Sequence, residues 1–258
     1  MPLPDIAAIR AQFPSLSSGF AYLENAGGSQ VPAVVADAIR EYMLSNYVQL
    51  GAGYEISRKS TAVVNEAHEW INTFMNGAGL GKVVLGPSST QLLYMLAECY
   101  SRTMGKHESI IVAESGHEAN IGPWWRLQEL GFNVKIWPLD PHTQTCRLDV
   151  LEEMLQEPTR IVAFPQVSNL LGEIVDVRAV SQLAHRSGAR VVVDGVAFAP
   201  HRAIDVAAWD ADWYVYSTYK VFGPHMGAMF GKNEAFAEIK GPNHFFLPDE
   251  NVYKFELG

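Results

Sequence analysis

From about residue 60 to residue 232 the chain alternates short runs of β-branched and aromatic residues with longer segments of helical periodicity, which leaves few folds open. The runs at 82–85, 109–113, 133–137, 160–164, 190–194, 213–217 and 227–231 read as strands. Helical patterns at 62–75, 89–103, 121–130, 148–156 and 177–187 fall between them, and Gly105, Gly131 and Gly188 stand where a helix C-cap wants glycine. Strands joined through helices predict an α/β fold, a mostly parallel seven-stranded sheet flanked by helices. Residues 1–60 look different. Asn25-Ala26-Gly27-Gly28-Ser29 reads as a loop and 34–46 as a helix, so this part is expected to be an N-terminal arm, with 61–240 as the sheet domain.

The 258 residues are 48% hydrophobic, enough for a sizeable core. A formal charge of −9, with scattered Lys and Arg, disfavours nucleic acid or an anionic membrane as partner, because both reward clustered cations. The two cysteines, Cys99 and Cys146, suggest neither a disulfide framework nor a metal site. Residues 1–13 lack the apolar core of a signal peptide and no stretch approaches a spanning length. The expectation is a soluble, unprocessed, cytoplasmic protein.

Ligands of open α/β sheets gather at the carboxyl ends of the strands, and several polar residues stand there. Asp194 closes the run Val191-Val192-Val193-Asp194, and Lys220 follows the run at 213–217. Lys220 has apolar neighbours on both sides, which argues against a solvated surface lysine; for Asp194, a helix cap or turn acid is the competing reading. An amine and a carboxylate at neighbouring strand ends are what pyridoxal phosphate (PLP) requires. The amine forms a Schiff base with the aldehyde, and the acid keeps the pyridine nitrogen protonated so that the ring acts as an electron sink.

Three further segments fit that cofactor. Leu85-Gly86-Pro87-Ser88-Ser89-Thr90-Gln91 leaves a strand and opens a helix, so its N–H groups and the hydroxyls of Ser88, Ser89 and Thr90 make a phosphate cradle; plain helix capping is the alternative. Ser217 and Tyr219 beside the lysine offer two more hydroxyls. His117 stands where an imidazole can stack on a flat ring and move a proton, against a capping or surface histidine. Asn169 can donate to a phenolate oxygen, against an ordinary turn asparagine. No GxxxxGK[ST] or GxGxxG pattern supports a nucleotide-binding alternative.

Together, Asp194 with Lys220 in a Ser-x-x-Lys run, His117 before Ala119-Asn120-Ile121, Val167-Ser168-Asn169 leading to Gly172, and Tyr22-Leu23-Glu24-Asn25-Ala26 resemble the class V aminotransferase family, most closely its cysteine desulfurase-like branch. The resemblance implies the large domain of PLP-dependent transferase fold type I, with Lys220, His117 and Asp194 catalytic. It further implies that Asn169 contacts the phenolate oxygen, that Ser89, Thr90, Ser217 and Tyr219 hold the phosphate, and that Asn25, Ala26 and Gly27 line the approach of an amino-acid substrate. Family members are homodimers with the active site near the subunit interface.

Three departures bear on the reaction. Ala197 stands where desulfurases carry a glutamine three residues after the aspartate, and Tyr219 stands where they carry histidine, as on the kynureninase side of the superfamily. The family continues well beyond residue 258, so 241–258 is expected to begin a connection, through a strand at the end, to a small domain that is absent. That domain holds the desulfurases' mobile cysteine and their substrate-gripping arginine; Cys99, in a predicted helix, and Cys146, in a loop, are not expected to replace the former. The resulting expectation is cysteine desulfurase or C–S lyase chemistry. Aminotransferase or epimerase chemistry, or a catalytically incompetent PLP-binding fragment or scaffold subunit, are the alternatives.

Overall fold

The computed structural model describes residues 4–256, so residues 1–3 of the expected arm and 257–258 of the expected connection lie outside the described residues. Seven strands, β1 (Gly81–Gly86), β2 (Ser109–Ala113), β3 (Asn133–Trp137), β4 (Thr159–Pro165), β5 (Arg190–Asp194), β6 (Trp213–Ser217) and β7 (Gly227–Lys232), form one sheet in the order β1-β7-β6-β5-β4-β2-β3. β7 runs antiparallel to its neighbours β1 and β6, and all other pairings are parallel. The carboxyl ends of β1 to β6 therefore share one edge with the start of β7. The α-helices are α1 (Ile6–Ala11), α2 (Ala33–Ser45), α3 (Glu55–Phe74), α4 (Ser89–Ser101), α5 (Glu118–Trp125), α6 (Leu148–Met154), α7 (Val177–Arg186), α8 (Val206–Trp209) and α9 (Asn233–Ala237).

Helices on both faces explain why the strand runs are apolar without alternation. Successive side chains of a strand point to opposite faces. On β5, Val192 enters one core with residues of α4, α5 and α9, while Val191 and Val193 enter the other with residues of α6, α7 and α8. Among the described residues no helix is long and apolar enough to cross a membrane.

Several boundaries differ from those read in the sequence. α3 begins at Glu55 and runs through the 60/61 boundary. Its first turns are fixed by hydroxyls rather than by an apolar stripe: buried Ser57 donates to Gln49 O at 2.6 Å and accepts from Ala52 N at 2.9 Å. Gly131 (φ 83°) and Gly188 (φ 81°) take the left-handed conformation, whereas α4 has already ended at Ser101 before Gly105, which does not. The helix expected at 121–130 starts at Glu118 and passes into a 3₁₀ turn, Arg126–Leu130. Near the end, Val252–Phe255 forms a 3₁₀ turn and Phe255 packs into the core beside α9; half of the strand expected at 255–258 lies outside the described residues.

The opposite edge of the sheet is held by a charged network. Asp212, fully buried, accepts from Arg190 Nη1 at 2.9 Å, Val191 N at 2.9 Å and His185 Nε2 at 2.7 Å. Arg190 also reaches Glu238 at 2.6 Å, and Glu238 takes Arg160 at 2.8 Å. Burial alone pushes the Asp212 carboxyl upward, but His185 and the Val191 N–H outweigh it and leave it below the ordinary carboxylate range. Both His185 nitrogens face carboxylates, Asp212 and Asp210, and the hydrogen bond to Asp212 raises its pKa. A raised folded-state pKa contributes stability that is fully present below the unfolded value of about 6.5 and is lost as pH rises through the folded value. His185→Gln should therefore lower the urea midpoint most near pH ~6, with the gap to wild type shrinking above neutrality; denaturation series at several pH values measure this.

Candidate active site

Asp194, Lys220, His117, Asn169, Ser89, Thr90 and Tyr219 line one cleft at the carboxyl edge of the sheet. Ala119, Pro165, Val167, Val196 and Ala197 supply its apolar walls. Each polar residue sits at the end of a strand or shortly after it, so the cleft follows from the topology.

Asp194 ends β5 and is only 6% exposed. Its Oδ1 accepts from Val196 N at 2.9 Å, and its carbonyl accepts from Gln166 N at 2.8 Å. Burial pushes its carboxyl above the ordinary range, opposed by the Val196 N–H and by the nearby His117 and Lys220 side chains. Gly195 must follow it, because a Cβ there would sit 2.0 Å from the Tyr214 hydroxyl. That hydroxyl donates to Gln166 Oε1 at 2.7 Å, tying β6 to the end of β4 directly beneath the aspartate. Lys220, half-buried, lies on the 3₁₀ turn Thr218–Lys220 after β6.

At another part of the cleft, the hydroxyl of buried Ser89 lies 2.7 Å from that of Ser217, which is itself buried behind the cleft wall and does not line it, joining the start of α4 to the end of β6. Thr90 is exposed beside them. First-turn N–H groups of a helix lack intrahelical partners and present the positive end of its dipole. Ser88 departs from the expected cradle: it does not line the cleft, and its hydroxyl accepts from Gln91 N at 3.1 Å as the N-cap of α4.

His117 caps α5, its Nδ1 accepting from Ala119 N at 3.0 Å, and its exposed ring still borders the cleft. The capping alternative and the cleft-facing one describe the same side chain. Asn169 likewise is a turn residue and a lining residue: Ser168 N donates to Glu173 O at 3.0 Å and Gly172 N to Ser168 O at 2.9 Å, which presents the exposed asparagine at the rim. Asn25, Ala26 and Gly27 form an exposed 3₁₀ turn that does not line this cleft, but the next residues reach it, with Ser29 N donating to Tyr219 O at 2.8 Å.

The donor set suits PLP. A buried carboxylate made costly by its surroundings favours a cationic partner such as a pyridinium, an amine stands in the same cleft, and hydroxyls with a helix start suit a phosphate. Sequence reading missed the supports. Buried Asn120 anchors α5 by donating to Phe164 O at 3.3 Å and Val192 O at 3.4 Å, and Trp124 Nε1 donates to its Oδ1 at 3.3 Å. An asparagine in an otherwise apolar helix was the available signal. Gly227 is a second support, where a Cβ would lie 2.4 Å from Ser89 N, so glycine lets β7 start directly against α4.

A profile of the family described as "Aminotransferase class-V" matches residues 21–245. The chain is 39% identical over 260 residues to "Aminotransferase-like protein FGM3" of Gibberella zeae, covering 98% of this chain and 64% of that protein. It is 35% identical over 239 residues to a cysteine desulfurase of Synechococcus elongatus, covering 89% of this chain and 38% of the relative. Among solved structures, the cysteine desulfurase CsdA (S-sulfonic acid) of Escherichia coli superposes with a TM-score of 0.82 at 28% identity, over 94% of this chain and 62% of that one. This chain thus spans less than two thirds of these relatives' length.

Gly227→Ala should destabilise the fold by about 1–3 kcal/mol, because the clash is with backbone of α4 rather than a movable side chain; thermal unfolding of the purified variant measures it.

Proposed function

The chain belongs to the class V aminotransferase family, a family of PLP-dependent enzymes with the large-domain sheet of fold type I, and on that premise we propose that it acts on an amino-acid substrate by PLP chemistry at the cleft of Lys220 and Asp194. The observation that carries this reading is the buried Asp194 carboxylate sharing one cleft with Lys220 and with the hydroxyl-rich start of α4.

Bound there, PLP supplies an electron sink for a bond at the substrate's Cα. In this reading Asp194 holds a positive charge at the pyridine nitrogen, and Lys220 is the covalent anchor and the base that moves the α-proton. Ser89, Thr90, Ser217 and Tyr219 hold the phosphate, His117 covers a ring face, Asn169 donates to the phenolate oxygen, and Asn25 to Gly27 border the substrate's approach. Residues 1–60, 61–240 and 241–258 serve as arm, cofactor domain and connection.

C–S bond cleavage is the proposed reaction, supported by relatives named cysteine desulfurase at 34–35% identity. Cys99 and Cys146 are buried, and burial raises both thiols, Cys99 to about 12. Among the described residues, neither is an accessible sulfur acceptor. Ala197 on the cleft wall favours a second reading, transamination or epimerisation, because the glutamine expected of a desulfurase is missing there.

A homodimer in a reducing cytoplasm completes the proposal. α3 exposes Trp70 stacked on Phe74 beside an apolar groove lined by Val35, Val63 and Val221, a surface that suits a partner, and both cysteines are free thiols. Sedimentation or light scattering reads the stoichiometry.

The protein incubated with PLP should absorb in the visible, and borohydride should fix the label on the peptide containing Lys220. Lys220→Ala should lose that absorption. Asp194→Asn should keep it while turnover falls by roughly a hundred- to a thousandfold, the scale of one lost electrostatic contact in an active site. Assays for sulfide, keto acid and racemised product across an amino-acid panel separate the reactions. Absorption without turnover of any amino acid would replace this proposal with a binding-only role, and no uptake of PLP would reject the cofactor site. Ala197→Gln should shift the band, and an unchanged spectrum would mean that the position does not face the ring.

A further inference from the structure

His225 lies outside the cleft, yet it touches both elements proposed to hold the phosphate. Its ring stacks on Tyr219 with centroids 4.7 Å apart and planes 5° from parallel. Its Nδ1 lies 3.2 Å from the carbonyl oxygen of Pro87, to which it donates, and Pro87 directly precedes the N-cap of α4. The Tyr219 ring also meets Gly28, where a Cβ would come within 3.3 Å of Cδ2. The Ser29 hydroxyl donates to Tyr219 O at 2.9 Å and accepts from Phe222 N at 2.8 Å, which fixes the backbone of the same turn. Tyr219 is thus clamped between the N-terminal arm and an imidazole that is itself tethered to the loop entering α4.

We propose that His225 is a positioning residue for phosphate recognition, setting the Tyr219 phenol against the first turn of α4. The inference rests on the PLP reading above and names how this chain holds the phosphate with tyrosine beside its lysine. A phenol on a freely rotating side chain loses entropy when it binds, whereas a clamped one has lost it already. The stack restrains the ring plane, and the Nδ1–H bond to Pro87 sets its distance from the helix start. Two residues further on, Gly227 brings the same segment against Ser89 N, so the geometry of residues 225–227 and the cradle are coupled.

The test compares two ligands that differ only in the phosphate. Apo-protein is titrated with PLP and, separately, with pyridoxal, following visible absorption. His225→Ala should weaken PLP binding roughly tenfold, the scale of one lost hydrogen bond to a charged group, and leave pyridoxal binding unchanged. His225→Phe, which keeps a stacking ring and loses the bond to Pro87, should fall between. Tyr219→Phe should weaken PLP selectively, and adding His225→Ala to it should bring little further loss, because the histidine acts through the tyrosine hydroxyl. Equal weakening of PLP and pyridoxal, no weakening, or fully additive losses in the double variant would overturn the inference while leaving the cofactor reading in place. A wild-type protein that binds neither ligand would overturn both. His225 is exposed, and circular dichroism of each variant confirms that the fold is retained.

Discussion

A strand covered by helices on both faces has no room for unpaired polar side chains along its length, and this constraint organises the molecule. Each of β2, β4, β5 and β6 is nearly saturated with buried residues, so the polar chemistry is displaced to the turns where the strands stop. Since β1 to β6 stop along one edge, residues far apart in sequence meet there without any long loop. The antiparallel β7 contributes its start to the same edge, which is how Gly227 comes to support the helix leaving β1.

The two edges handle charge differently. At the edge opposite the cleft, Asp212 is surrounded by Arg190, His185 and a backbone N–H, and its ionised form is favoured. At the cleft, Asp194 is also buried but keeps one backbone donor, with His117 and Lys220 further off, and its ionised form is disfavoured. The first carboxylate has its partners within the protein and serves the fold. The second is left with capacity to interact, which fits the role proposed for it.

Much of this was legible in the sequence because it depends on local pattern. The strands β2, β3, β5 and β6 fall where their apolar runs predicted, and Asp194 and Lys220 could be read from their places after such runs. What escaped notice depends on contacts between distant segments. Ser88 stayed open between cap and phosphate ligand because the two share the same local sequence, and its bond to Gln91 N shows the cap. The early start of α3 rests on Ser57 bonds that have no hydrophobic period. Asn120, Gln166 and His225 support the cleft from outside it, through partners between 44 and 138 positions away.

The cap that His117 makes on α5 carries a consequence for the proton inventory of the cleft. Because Nδ1 accepts the Ala119 N–H, the neutral ring must carry its proton on Nε2. The neutral imidazole is thereby held as a plate of fixed tautomer, with the Nε2–H and not Nδ1 left to meet a neighbour.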